Sequence, residues 1–544
     1  MSARTTASSL LLVLMLSASI DAFSQSSAVQ AGGSLNLSSE FYSARGVAAR
    51  RPSNTYRGLF QLNVTFFDQI QLPFEAFYAS GQTGFRQPFN QFGVSPRYED
   101  WLVVHAGYYS ARLSDLSFGD ARLLGAGIEL TPGPFRFSAL YGRSDAAIQP
   151  DLLQGIPGTY RRTMWGGKVG YGGEDQLHLH LNFWHAIDDT TSLSLAPAGV
   201  APQENFVTSV SFGVPIEGNL LTVGGEVAGS LHSNDIRSPE VQGKGIGHAL
   251  FVHRTSSQLD AAAKLSVGVT PAPFVSVRLT TRWVGPGFLS LGYPQTPSDM
   301  FEWTAAPSFR LLDNALMIRL SFGQRQNNLR SNKQSTTRRT LWSLATSARV
   351  TNEFAVDFQY TNYGLRSAPK NDTLRFENIS QSLNITPRYM FEAFGGASTL
   401  VVTYSLQDTE DKNVITSSLN RNNTQSVMGA WSVAFPTTLS LTTSILQTTS
   451  KLPTLSTSIV NVSETASHQF FDSALSASLN AGFSRISVLS RDDQFAFSVN
   501  LTYGFGAYGS VGFALYNNKY TYGAGSAGAS FSEIQGTLSY SIGF

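Results

Sequence analysis

The chain has 544 residues, no Cys, only 14% charged residues and a formal net charge of +1. Soluble proteins carry about 25% Asp, Glu, Lys and Arg, so this composition argues against a set of ordinary soluble domains. The missing Cys excludes a disulfide scaffold, a thiolate zinc site and a Cys nucleophile, and the near-zero charge gives no ground for a nucleic-acid partner.

The first segment reads as a leader. Met1-Ser2-Ala3-Arg4 is a basic start, Leu10 to Leu16 is an apolar run, and Ala22-Phe23-Ser24-Gln25 is a small-x-small site. The run is too short to span a bilayer. Residues 1–24 are therefore expected to be a cleaved secretory signal peptide, with residues 25–544 as the mature protein.

From Ser34 onward, apolar residues recur at every second position. Phe60, Leu62, Val64 and Phe66 alternate with Gln61, Asn63 and Thr65. Leu177, Leu179, Leu181 and Phe183 enclose His178, His180 and Asn182. Leu316, Ile318, Leu320 and Phe322 repeat the pattern, as do Phe497, Val499, Leu501 and Tyr503. A period of two predicts strands with one apolar and one polar face.

The connections alternate in length. Short turns are expected at Phe67-Asp68-Gln69, Thr131-Pro132-Gly133-Pro134, Gly172-Gly173-Glu174-Asp175, Pro271-Ala272-Pro273, Leu312-Asp313-Asn314, Thr351-Asn352-Glu353 and Pro436-Thr437. Between them lie long polar stretches near 145–162, 187–204, 232–256, 286–300, 326–339, 365–376 and 409–423. With 94–100 as a further turn, the count reaches about 26 strands (range about 22–26). A soluble propeller would instead repeat about every 40–50 residues, and no such repeat is present. The expected fold is all-β: a single large closed antiparallel transmembrane barrel with short periplasmic turns and long extracellular loops. Because strand pattern starts by about Ser34, no plug domain is expected in front of the barrel.

Parity places Glu75, Arg136, Lys168, His178, His180, Glu226, Lys264 and Asp357 on the inner face. It also places Arg278, Arg282, Arg310, Arg319 and Arg349 there, as a candidate cationic patch on one wall of the lumen. Such a patch either biases a pore toward anions or braces the barrel against Glu226, Glu302 and Asp357, and bracing is the simpler role. Tyr78, Tyr109, Tyr141, Trp165, Trp283, Trp303, Trp342, Tyr404 and Tyr503 suit the aromatic girdles at the two membrane interfaces.

His178 and His180 sit two apart, with His185 beyond, but no third ligand is positioned, so no metal site is expected. G-x-S-x-G, H-E-x-x-H, P-loop and Rossmann patterns are absent. His105 or His468 beside a Ser does not amount to a catalytic spacing. Neither an enzyme nor a cofactor is expected.

The last strand is Gly536-Thr537-Leu538-Ser539-Tyr540-Ser541-Ile542-Gly543-Phe544, with Leu538, Tyr540, Ile542 and Phe544 on one face. It resembles the C-terminal recognition strand of bacterial outer-membrane β-barrel proteins, which the barrel-assembly machinery reads through strand addition. Gln87-Pro88-Phe89-Asn90-Gln91-Phe92-Gly93-Val94-Ser95-Pro96-Arg97-Tyr98, followed by Leu123-Leu124-Gly125-Ala126-Gly127 and Phe135-Arg136-Phe137, resembles large Bacteroidota-type barrels of unassigned function. The resemblance implies export through the inner membrane by the general secretory route. It further implies a bacterial outer-membrane location and contact with outer-membrane lipid.

Two functional classes remain open. One is a porin-like channel for passive diffusion of small polar solutes, narrowed by inward loops such as 81–100 and 286–300. The other is a non-enzymatic platform or conduit subunit of a secretion, surface-display or assembly complex, whose lumen belongs to a periplasmic or surface partner protein.

Overall fold

A computed structural model describes residues 28–544, apart from 81–90, 120, 152–156, 196–198, 217, 219, 242–249, 294–296, 370–375, 414–419, 489 and 527. The expected leader, residues 1–24, lies outside the described residues, as does Gln87–Asn90.

The alternating segments all become strands. The wall begins with β1 (Val29–Arg45), β2 (Asn54–Phe66) and β3 (Ile70–Ala79). Two short pieces follow, β4 (Gln91–Val94) and β5 (Arg97–Tyr98). Next come β6 (Leu102–Ala111), β7 (Ala121–Leu130), β8 (Phe135–Asp145), β9 (Arg161–Tyr171) and β10 (His178–Asp189). They lead to β11 (Glu204–Ile216), β12 (Leu221–Ser233), β13 (Ser257–Ala272), β14 (Val275–Val284) and β15 (Met300–Leu311). The wall continues through β16 (Leu316–Asn327), β17 (Ser335–Arg349), β18 (Phe354–Pro369), β19 (Phe376–Ala393) and β20 (Gly396–Asp411). Then follow β21 (Asn422–Ala434), β22 (Ser440–Lys451), β23 (Ser456–Phe470) and β24 (Leu475–Ser487). The last three are β25 (Arg491–Gly504), β26 (Ser510–Thr521) and β27 (Phe531–Gly543).

Every neighbouring pair is antiparallel, and β27 pairs with β1, so the sheet has no free edge. Gly33 and Phe544 exchange backbone hydrogen bonds of 2.8 and 3.0 Å at this seam. Because β4 and β5 both pair with β3 and β6, they share one place in the wall. The 27 segments thus make a closed barrel of 26 strands, the number expected from the sequence. Closure satisfies the strand N–H and C=O groups internally, the condition for a sheet that crosses hydrocarbon. Among the described residues no helix is long and apolar enough to cross a membrane.

Directly paired residues share a face of the sheet, so the registers sort the side chains. One face carries Val227, Leu265, Leu279 and Phe322, all exposed. This apolar outer face is what a bilayer requires of a spanning barrel. Tyr78, Tyr141, Trp165, Trp283, Trp303, Trp342, Tyr404 and Tyr503 fall on it by register. Tyr109 does not. It shares the inner face with His105 and is buried, its hydroxyl donating to Ala126 O at 2.9 Å. The doublet Tyr108-Tyr109 leaves parity to decide which ring faces out, and the inner one is Tyr109.

Three stretches also differ from expectation. The stretch 91–98, expected within an inward loop, is wall, held by β3 and β6. The polar stretches 326–339 and 365–376 are partly strand, because β17, β18 and β19 extend beyond the apolar band with polar ends. Such ends look like loop when only residue type is available.

Candidate functional site

The inner face is divided into two unlike arcs. Along β6 to β15 it carries large apolar residues near the loop side. Two connections turn inward to meet them: residues 112–119 after β6, and 285–293 after β14. Leu113, Phe118 and Leu291 pack with Tyr109, Leu123, Leu140, Met164, Trp184, Ala186 and Val207. Leu116 and Phe288 pack with Ala228, Ala262, Val284 and Met300. Phe118 meets Trp184 edge-on, with ring centroids 5.9 Å apart. A fully buried Leu or Phe contributes about 1.5–3 kcal/mol, which is why a loop rich in such residues folds inward. Gly292 lets the second loop approach, since a Cβ there would lie 2.5 Å from the Phe118 ring.

Polar contacts latch both loops to the wall. Ser114 Oγ donates to Glu226 Oε1 at 2.5 Å, and the Leu116 N–H donates to Glu226 Oε2 at 3.1 Å. The Leu291 N–H donates to Asn205 Oδ1 at 2.9 Å, and Ser230 Oγ donates to Leu289 O at 2.5 Å. Ser290 Oγ donates to Ser117 O and so ties one loop to the other. At the tip of the first loop, Asp115 accepts from Lys264 Nζ and from Arg112, each at 2.5 Å. Burial pushes the Asp115 carboxyl up, but Lys264 and Arg112 outweigh it and hold the group below the usual carboxylate range. Asp299, just before β15, accepts from the N–H groups of Asn328 and Leu329 at 3.0 and 2.9 Å and pairs with Lys333. Its burial also opposes ionisation, and Lys333 with the two amides again wins, leaving its pKa lowered.

The other arc is polar and stays partly exposed. The inward positions of β21 to β24 are mostly Ser, Thr and Asn, with no charged side chain among them. They bond to one another across strands: Ser444 Oγ lies 2.7 Å from Ser463 Oγ, and Asn461 Nδ2 donates to Ser484 Oγ at 2.6 Å.

Registers place Arg278 and Arg282 on β14, Arg310 on β15, Arg319 on β16 and Arg349 on β17, all on the inner face with Lys264. The ion pairs on this wall use other cations: Arg325 with Glu302, and Lys264 with Asp115. Of the two loops expected to turn inward, 286–300 does so over its described part. The loop 112–119 was not foreseen. Its signal was Leu113, Leu116 and Phe118 within a connection, apolar residues that a solvated loop has no reason to carry.

The histidines serve the wall. His178 Nδ1 and His180 Nε2 lie 3.0 and 2.9 Å from the carbonyls of Gln176 and Gly172. His185 is on the opposite face and pairs with Glu204 at 3.0 Å. His105 contacts Ser95 Oγ at 2.8 Å and Glu129 at 3.4 Å. That set resembles a nucleophile with its base. The Ser95 N–H itself donates to Pro73 O at 3.1 Å.

No protein-family model matches the chain, and no curated protein matches it in sequence. Among solved structures it is similar to the translocation pore of the P pilus usher PapC. That match has 11% identity and a TM-score of 0.37, covering 94% of this chain and 99% of that one. It is similar to OccAB2 of Acinetobacter baumannii at 9% identity and a TM-score of 0.31, covering 67% of this chain and 97% of that one. It is similar to the siderophore receptor PirA of Pseudomonas aeruginosa at 11% identity and a TM-score of 0.39, covering 94% and 80%. The likeness is one of barrel architecture and carries no argument about activity.

Proposed function

We propose that this chain is a porin-like channel of a bacterial outer membrane that passes small polar solutes by passive diffusion and catalyses no reaction. One observation carries this reading. Loops 112–119 and 285–293 pack on the β6–β15 arc, while the inner face of β21 to β24 keeps a partly exposed lining of Ser, Thr and Asn. Inward loops narrow so wide a barrel from one side, and a neutral hydroxyl and amide lining suits the passage of hydrated solutes.

The proposal includes the route to the membrane. Residues 1–24 direct export and are removed. The barrel-assembly machinery then recognises Leu538, Tyr540, Ile542 and Phe544 on the strand that closes against β1, and the barrel takes its place in outer-membrane lipid. The Bacteroidota-type resemblance belongs to the same reading. The test is conductance of the purified full chain in planar bilayers, with graded polyethylene glycols to size the opening. Stepwise conductance that larger polymers no longer reduce supports a channel. A folded barrel that stays electrically silent rules it out.

A further inference from the structure

We infer that the cations of β13 to β17 form a path for anions down one wall of the lumen, favouring solutes that bear a carboxylate or phosphate group. The inference rests on the channel reading and names its solute class.

The argument begins with a cross-strand row. Lys264 stands directly opposite Arg282, Arg282 opposite Glu302, Glu302 opposite Arg325, and Arg325 opposite Arg339. Like charges placed directly opposite each other destabilise a sheet, and this row holds two such pairs. Only part of that repulsion is relieved within the protein. Asp115 takes Lys264, and Glu302 takes Arg325. Among the described residues no carboxylate forms an ion pair with Arg278, Arg282, Arg310, Arg319 or Arg349. The buried Nε of Arg282 has no hydrogen-bond partner.

The unpaired cations descend the wall in steps. Arg282 lies toward the loop side, with Arg278 four residues below it on β14. Arg319, opposite Ser308, flanks β15 from the other side. Arg310 and Arg349 stand at the short-turn end. Arg319 also lines a lumen recess of about 320 Å³ with Ser347, Gln359, Asn384 and Thr386. Asp357 shares this recess without pairing with the guanidinium. A guanidinium presents a planar fork of donors that fits carboxylate and phosphate oxygens. The arc of β21 to β24, farther round the same wall, offers no charge, and the single-signed arginine wall sets the local field that draws anions.

The experiment measures the zero-current potential of single channels across a KCl gradient, and the block of that current by added citrate. Wild type is expected to prefer chloride and to be blocked by citrate. The Arg278→Ala/Arg319→Ala double variant is expected to lose both properties while still conducting, and Arg278→Lys/Arg319→Lys to keep the chloride preference. Heat-dependent gel mobility confirms that each variant folds. A conducting wild type without anion preference overturns the inference but leaves the channel reading standing. So does an unchanged preference in the folded Ala variant. A silent wild type overturns both.

Discussion

The two arcs of the inner wall have the same strand geometry and opposite interiors. Near the loop side of β6 to β15 the inner face is packed like the core of a soluble protein, with Trp184, Val207, Ala262 and Val284 fully buried. Along β21 to β24 the same positions stay partly exposed and bond to one another through hydroxyls and amides. What separates them is a pair of loops. A wall covered by apolar loop residues becomes a core, whereas a wall left uncovered has to satisfy water. A lumen is thus not one environment, and a substitution at an inward position costs according to its arc.

The sharpest test of that contrast is Trp184→Ala, which removes the largest buried side chain of the packed arc. It should cost about 3–5 kcal/mol, read as a fall in the urea midpoint of the detergent-folded barrel. A loss no larger than that of a surface residue would erase the distinction between the arcs. Next, Glu226→Ala removes the carboxylate that accepts from Ser114 Oγ and from the Leu116 N–H and should cost about 1–3 kcal/mol. Because the first loop is then freed, mean single-channel conductance should rise and its noise increase.

A smaller effect comes with acid. The Asp115 pKa is depressed in the fold, so its contribution is complete above the ordinary Asp value of about 3.9. It fades as pH falls below that value, through the folded one. The Asp115 side chain is partly exposed and its ion pairs are screened by solvent, so the loss should be only about 0.2–1 kcal/mol. Asp115→Asn should flatten this part of the pH profile measured on the folded barrel. Smallest of all, Ser463→Ala on the polar arc should change stability by no more than about 0.5 kcal/mol. A cost like that of Trp184→Ala would mean that the second arc is also packed.

Much of this was legible in advance, for a physical reason. Lipid outside and water inside impose a strict period of two, so runs such as Phe497 to Tyr503 declared their strand and its faces. The inner face of Arg278 and Arg319 followed from the same parity. Polar strand ends were harder: Arg338 and Arg339 stand above the apolar band, where loop and strand share one composition. The packed arc was hardest, since Leu123, Met164 and Trp184 look in sequence like any outward residue until the register sets their face.

The sequence by itself determined the barrel, its strand number and its two faces, because alternation is a relation between residues two apart. Only the tertiary structure decided which inward residues are covered and which meet water. The latch joins Ser114 to Glu226 across 112 positions, and Ser290 to Ser117 across 173. No local period encodes such distances. They are set by closure of the sheet, which brings β6, β12 and β14 to the walls of one lumen and gives the apolar loops a surface to bury against.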